Sequence, residues 1–187
     1  ARIGLMRCHY LLDETEQALA YANVVIDDSQ TPEDIAATAR YWRGKIKFEA
    51  KDYAAAAPDL EKVAALGGTR GAESQFMLCQ IAFASGDYAA TEQALFEFIQ
   101  AYANYDAWKH QAFLLLVDTY IALEDWFQAR ATAESILEYV QVESIRLAAT
   151  QKLATIDERE LAELNPPVSA DSTGTEPSTP QQNAPQP

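Results

Sequence analysis

The sequence predicts an all-α protein, built as a solenoid of antiparallel helix pairs. Gly and Pro are sparse before residue 165 and sit at boundaries, while the helix formers Ala, Leu, Glu and Gln dominate. The short apolar runs lie inside longer helical periods, and none alternates as a strand would. A motif also recurs, in "AKDYAAAAPDL" (50–60), "SGDYAATEQAL" (85–95) and "LEDWFQARATA" (123–133). Each copy has a tight turn, Asp, an aromatic residue, then a small residue three positions later. "LDETEQALAYA" (12–22) fits more loosely, with Asp13 at the turn. The small slots fall at 18, 56, 91 and 129, spaced by 38, 35 and 38 residues. Two helices per unit at that period mark a helical solenoid.

Taken in order, the predicted helices span 2–12, 14–28, 32–50, 53–66, 71–85, 88–102, 107–123, 126–140 and 144–163. The opening "ARIGLMRCHYLL" reads as helix interior and lacks a signal-peptide pattern, so Ala1 is expected to be a cut point in a longer or processed chain. The third helix has a start signal in "SQTPEDIAATARYW". Thr31 is the expected N-cap and Pro32 the first helical residue, with Glu33 and Asp34 beside the positive end of the dipole. Pro58 should bend the fourth helix or delay its start. In "AALGGTRG", Gly67 or Gly68 takes the left-handed cap. Asp52, Asp87 and Asp125 cap the second helix of their pairs, and the aromatic after each covers the turn. Leu60, Leu95 and Ile136 then face the next unit. The short turns make neighbouring helices antiparallel.

Composition changes abruptly at Asn165. The segment 165–187 is rich in Pro, Ser, Thr and Gln and poor in large apolar residues, so it reads as a flexible low-complexity tail behind a helical domain over 1–164. A formal charge of −14 argues against a nucleic-acid surface. No apolar run approaches the length of a transmembrane helix. Cys8 and Cys79 are the only cysteines, which excludes a disulfide framework. Two buried thiols on different helices are expected, with a single disulfide as the alternative.

With the motif in view, the chain resembles the tetratricopeptide repeat (TPR) superfamily. The matching residues are Gly44 with Asp52-Tyr53 and Ala56; Leu78 with Gly86-Asp87-Tyr88; and Leu116, Tyr120, Trp126 and Ala129. The likeness covers 1–140 and makes 144–163 a terminal capping helix. It implies a right-handed superhelix of about four repeats plus that cap. "YWRGKIKFEAKDYAAA" and "ALFEFIQAYANYDAWKHQAFLLLVDTYIALEDWFQA" look like bacterial TPR proteins of the cell envelope. That implies a periplasmic or outer-membrane-associated setting, with the cytoplasm as the alternative. Some residues depart from the family pattern. Thr91 stands in a small slot, and Lys51 and Glu124 replace the turn glycine. Arg43 and Lys47 fill slots usually apolar, and His9 stands where an aromatic is usual.

The resemblance implies a concave face lined by the first helix of each pair. Carried over, it points to Ile3, Arg7 and Tyr10; Tyr41, Lys45 and Phe48; Phe76, Gln80 and Phe83; and Leu114, Asp118 and Ile121. Within each helix these share one face. Two readings fit them: an aromatic groove for a partner helix or peptide, or ordinary inter-helix core. The Lys and Asn pattern of domains that clamp chaperone tails is not present. A basic stripe, Arg40, Arg43, Lys47 and Lys51, either docks an acidic partner or pairs internally with Asp27, Asp28 and Asp34.

No catalytic, cofactor or metal constellation is legible. His9 and His110 are the only histidines, neither with ligand spacing, and no Gly-rich phosphate loop or nucleophile elbow occurs. The expectation is a non-catalytic interaction scaffold with a protein or peptide partner. The alternatives are a segment that extends, caps or self-associates a longer array, and a remote metal or thiol site at Cys8 and His9.

Overall fold

Residues 2–164 are described by a computed structural model, so the tail expected at 165–187 lies outside the described residues. They fold as α1 (Arg2–Leu11), α2 (Thr15–Asp27), α3 (Glu33–Glu49), α4 (Tyr53–Ala64), α5 (Gly68–Ala84), α6 (Tyr88–Ala101), α7 (Asp106–Ala122), α8 (Trp126–Tyr139) and α9 (Glu143–Leu164). The protein is all-α, with no strand among the described residues. Nor is any described helix long and apolar enough to cross a membrane.

Turn chemistry accounts for the boundaries. Asp13, Lys51, Gly86 and Glu124 all take positive φ, between 59° and 82°. This left-handed residue ends one helix and aims the chain into the next. After it, Asp52, Asp87 and Asp125 accept hydrogen bonds from the backbone N–H groups of Ala55, Ala90 and Gln128 at 3.3, 3.1 and 3.0 Å. The six-to-one bonds of a Schellman turn run from Glu14 to the His9 carbonyl, Asp52 to Lys47 and Asp125 to Tyr120. In the first turn the cap position is Glu14 rather than Asp13. Its carboxylate is drawn away to His9 Nδ1 at 2.5 Å, and it makes no side-chain cap bond.

Two boundary expectations change, and one of the two effects expected of Pro58 does not occur. Helix α3 begins one residue late: Pro32, at ψ 142°, is still extended and acts as the cap residue, so the Thr31 hydroxyl is a position too far back. Helix α5 begins at Gly68 rather than near 71, entered through Gly67 at φ 69° and ψ −157°, a conformation essentially restricted to glycine. Pro58 does not delay α4, because the Asp52 cap starts that helix at Tyr53. The residue whose carbonyl loses a partner to Pro58 is Ala54, which is exposed.

The small slots explain the packing. Ala18, Ala56, Thr91 and Ala129 are all fully buried. Thr91 fits because its hydroxyl donates to the Asp87 carbonyl at 2.8 Å, so no buried donor is left unpaired. Gly44 marks the close approach of α3 to α4: a Cβ there would lie 2.9 Å from Leu60 Cδ2. Leu60, Leu95 and Ile136 are buried as expected, within cores that continue onto the following helix.

Each helix packs on its neighbours in sequence. The backbone of each odd-numbered helix also approaches the next odd-numbered one, whereas no two even-numbered helices come within 8 Å of each other between Cα atoms. The odd helices therefore form a continuous layer, with the even helices standing apart against it. Layering of this kind sets where side chains from distant segments converge.

Candidate protein-binding face

The ten residues expected to form a groove separate into two groups. Tyr41, Phe76 and Leu114 are buried, at 5%, 6% and 7% exposure. Phe76 lies against Phe98 and Trp108, both at 5.8 Å between ring centres, and Leu114 belongs to the same core. For these three the core reading holds, because an odd helix is packed by sequence neighbours and by the next odd helix together. Arg7 is exposed, and Tyr10, Lys45, Phe48, Gln80, Phe83 and Asp118 are half-buried. Phe48 and Phe83 lean on the turn aromatics Tyr53 and Tyr88, at 5.7 and 5.3 Å. Asp118 pairs with Lys152 of α9, so the last helix occupies that end of the face.

Across α1, α3 and α5 the remaining groups converge with residues not anticipated from the sequence. Trp42 lies at the centre, 4.8 Å from Tyr10 and 5.3 Å from Tyr41. Its indole N–H is buried without an acceptor among the described residues, so ring contacts hold it. Arg7 lies over Trp42 at 6.0 Å, Arg70 over Tyr41 at 5.7 Å, and Lys45 near both rings at 6.0 and 5.8 Å. Such stacking orients a guanidinium while leaving its donors free for a ligand.

Two carboxylates belong to the same cluster. Glu73 accepts from Lys45 Nζ at 2.8 Å and from the Tyr41 hydroxyl at 2.7 Å. Glu49 accepts from the Tyr10 hydroxyl at 2.8 Å. Burial first, then the bond to Glu49, pushes the Tyr10 hydroxyl up to about 12. Burial and Glu73 push Tyr41 up as well, so both phenols stay protonated donors at neutral pH. Arg7 and Arg70 have no carboxylate partner among the described residues; Arg70 donates only to the Thr38 hydroxyl, at 2.9 Å.

No family model, curated protein or solved structure matches this chain.

Three of the four residues of the basic stripe bond internally, but with other partners than expected. Arg43 Nε and Nη2 donate to the two oxygens of Asp59 at 2.6 and 2.7 Å, and Nη1 donates to Asn23 at 2.8 Å. The forked bond to Asp59 raises the Arg43 pKa, against the opposing effect of burial. Arg40 pairs with Glu33 at 2.7 Å, and Lys47 reaches the Ala55 carbonyl at 3.4 Å. Lys51 lies beyond α3, in the left-handed turn. Asp27, Asp28 and Asp34 form no ion pair with any of the four.

The thiol expectation is half corrected: Cys79 is buried, but Cys8 is exposed. Among the described helices α1 packs on α2 and α3 alone, which leaves Cys8 in solvent. His9 takes the aromatic's place by stacking on Tyr21, at 5.3 Å and 13° between planes. Among the described residues no group of three or more His, Cys, Asp or Glu side chains is placed to hold a metal ion.

Proposed function

We propose that residues 1–164 form a TPR-like, right-handed solenoid of about four helix pairs with α9 as its cap, acting as a non-catalytic protein-interaction scaffold. The repeat reading is supported by the coincidence of two independent series. Fully buried small residues at 18, 56, 91 and 129 and left-handed turn residues at 13, 51, 86 and 124 keep the same spacing. The odd-helix face of α1, α3 and α5 takes a partner peptide.

The observation that carries this proposal is the pair of carboxylate-free guanidinium groups, Arg7 and Arg70, at the ends of the Trp42–Tyr41 shelf in a chain of net charge −14. Both stand ready for acidic groups of an incoming peptide, whose apolar side chains cover the half-buried Trp42 between them. Laid end to end, the ring separations amount to the reach of roughly five residues of extended chain. The test is a library of acidic peptides screened against wild type and Arg7→Glu/Arg70→Glu. The proposal expects peptides retained by wild type and released by the variant, with unchanged helical circular dichroism.

A second reading, end-to-end assembly, rests on the apolar residues exposed on the first and last helices: Leu5 and Leu11 on α1, with Leu12 just beyond it, and Leu147 and Leu164 on α9. Light scattering that finds a stable oligomer, dispersed by Leu11→Lys or Leu147→Lys, favours it over peptide binding.

A further inference from the structure

On the side away from the odd-helix face, α6 and α8 stay more than 8 Å apart between Cα atoms, and α7 floors the cleft between them. The cleft has a volume of about 310 Å³, with Phe113, Leu116 and Ile136 inside and Phe96 and Tyr139 as lips. Those lips are 50% and 74% exposed, a large aromatic area left in water beside an apolar hollow. The volume is near the bottom of the range for small-ligand pockets, about 300 Å³, and suits anchoring side chains of a larger partner.

The surrounding charge is of one sign. Burial first, then Glu92 and Asp125, pushes the Tyr120 hydroxyl at the wall of the cleft up to about 12, so both carboxylates lie near that wall. Neither Glu92 nor Asp125 forms an ion pair among the described residues. Helix α6 contains no Lys or Arg. The nearby cations are committed elsewhere: Arg130 to Asp157 and Glu160 of α9, at 2.5 and 2.6 Å, and Arg146 to the Leu137 and Val140 carbonyls at the end of α8.

We infer that the α6–α8 cleft docks a basic amphipathic helix of a partner protein, with large apolar side chains seated in the hollow and Lys or Arg on its flank meeting Glu92 and Asp125. Charge complementarity selects this occupant. A second copy of this acidic chain would bring like charges together, and an uncharged ligand would leave the carboxylate rim unused. The site lies on a different face and on different helices from the peptide shelf of Arg7 and Arg70.

The test uses three synthetic helical peptides: a Leu–Lys amphipathic helix, the same pattern with Glu for Lys, and the same charge with Ser for Leu. In fluorescence anisotropy the Leu–Lys peptide should saturate one site at least tenfold more tightly than either control. Phe96→Ala/Tyr139→Ala changes no charge and touches only exposed rings, and should weaken that binding tenfold. Hydrogen exchange should slow in α6 and α8 on binding, and Arg7→Glu/Arg70→Glu should leave the affinity unchanged. Equal binding of the Ser–Lys peptide, or an unaltered affinity in the Phe96/Tyr139 variant, would overturn the inference. So would a homodimer that the same variant disperses.

Discussion

Truncating Arg43 to Ala should destabilise the protein severely without touching its binding chemistry. Asp59 is only 4% exposed, and both its oxygens are taken by the Arg43 fork at 2.6 and 2.7 Å. Removing the guanidinium leaves a carboxylate buried between α3 and α4 with no counter-charge, which costs about 3–5 kcal/mol. The lost bond to Asn23 adds about 1 kcal/mol. A chain of this length has about 5–15 kcal/mol in total, so the variant should sit close to unfolding at room temperature. At about 2–4 °C per kcal/mol, the melting temperature should fall by about 10 °C or more. Urea denaturation followed by circular dichroism measures the loss. The double variant Arg43→Met/Asp59→Leu should recover most of it, since a well-packed apolar pair removes both charges together. A loss below about 1 kcal/mol in the single variant would refute the reasoning, because it would mean that water reaches Asp59.

Other expectations follow from the turns, the phenols and the thiols. Lys51→Gly and Glu124→Gly should each stabilise by about 1 kcal/mol in urea titrations, because the native φ at both is near +60°. Raised tyrosine pKa values make the folded state hold its protons more tightly than the unfolded chain. That contribution is complete below the ordinary value of 10. It is lost as pH climbs toward 12, the level to which Tyr10 and Tyr120 are pushed. Melting temperature should therefore drop between pH 10 and 12, and less steeply in Tyr10→Phe. Burial raises the Cys79 thiol to about 12, whereas Cys8 is exposed. A disulfide reagent should label Cys8 alone in the native protein and both thiols in urea.

The helix boundaries and small slots were legible because their causes are local. An Asp that caps the third following N–H, or an Ala at a helix crossing, acts within a few residues of itself. Tertiary pairing leaves no such trace. Arg43 and Asp59 are sixteen positions apart on different helices, and nothing near Arg43 favours Asp59 over Asp27 or Asp34. The choice between groove and core at Tyr41, Phe76 and Leu114 was open in the sequence for a related reason. A helix with several packed neighbours buries more than half its circumference, so a shared face does not establish that the face is open. The sequence signal for Trp42 is an indole beside an aromatic and among three basic residues in "RYWRGK". Glu73 and Arg70 enter the same cluster only through the contact of α3 with α5.

Peptide binding across α1, α3 and α5 is tested most directly by titrating an acidic peptide from the library screen, by calorimetry, into wild type and into Arg7→Glu and Arg70→Glu separately. Each charge-assisted contact is worth about 1.5–3 kcal/mol, so either single change should weaken binding about tenfold or more. Both substitutions lie at exposed positions and should leave the melting temperature within a degree or two. Full affinity in both variants, with the fold intact, would contradict the assignment of this face.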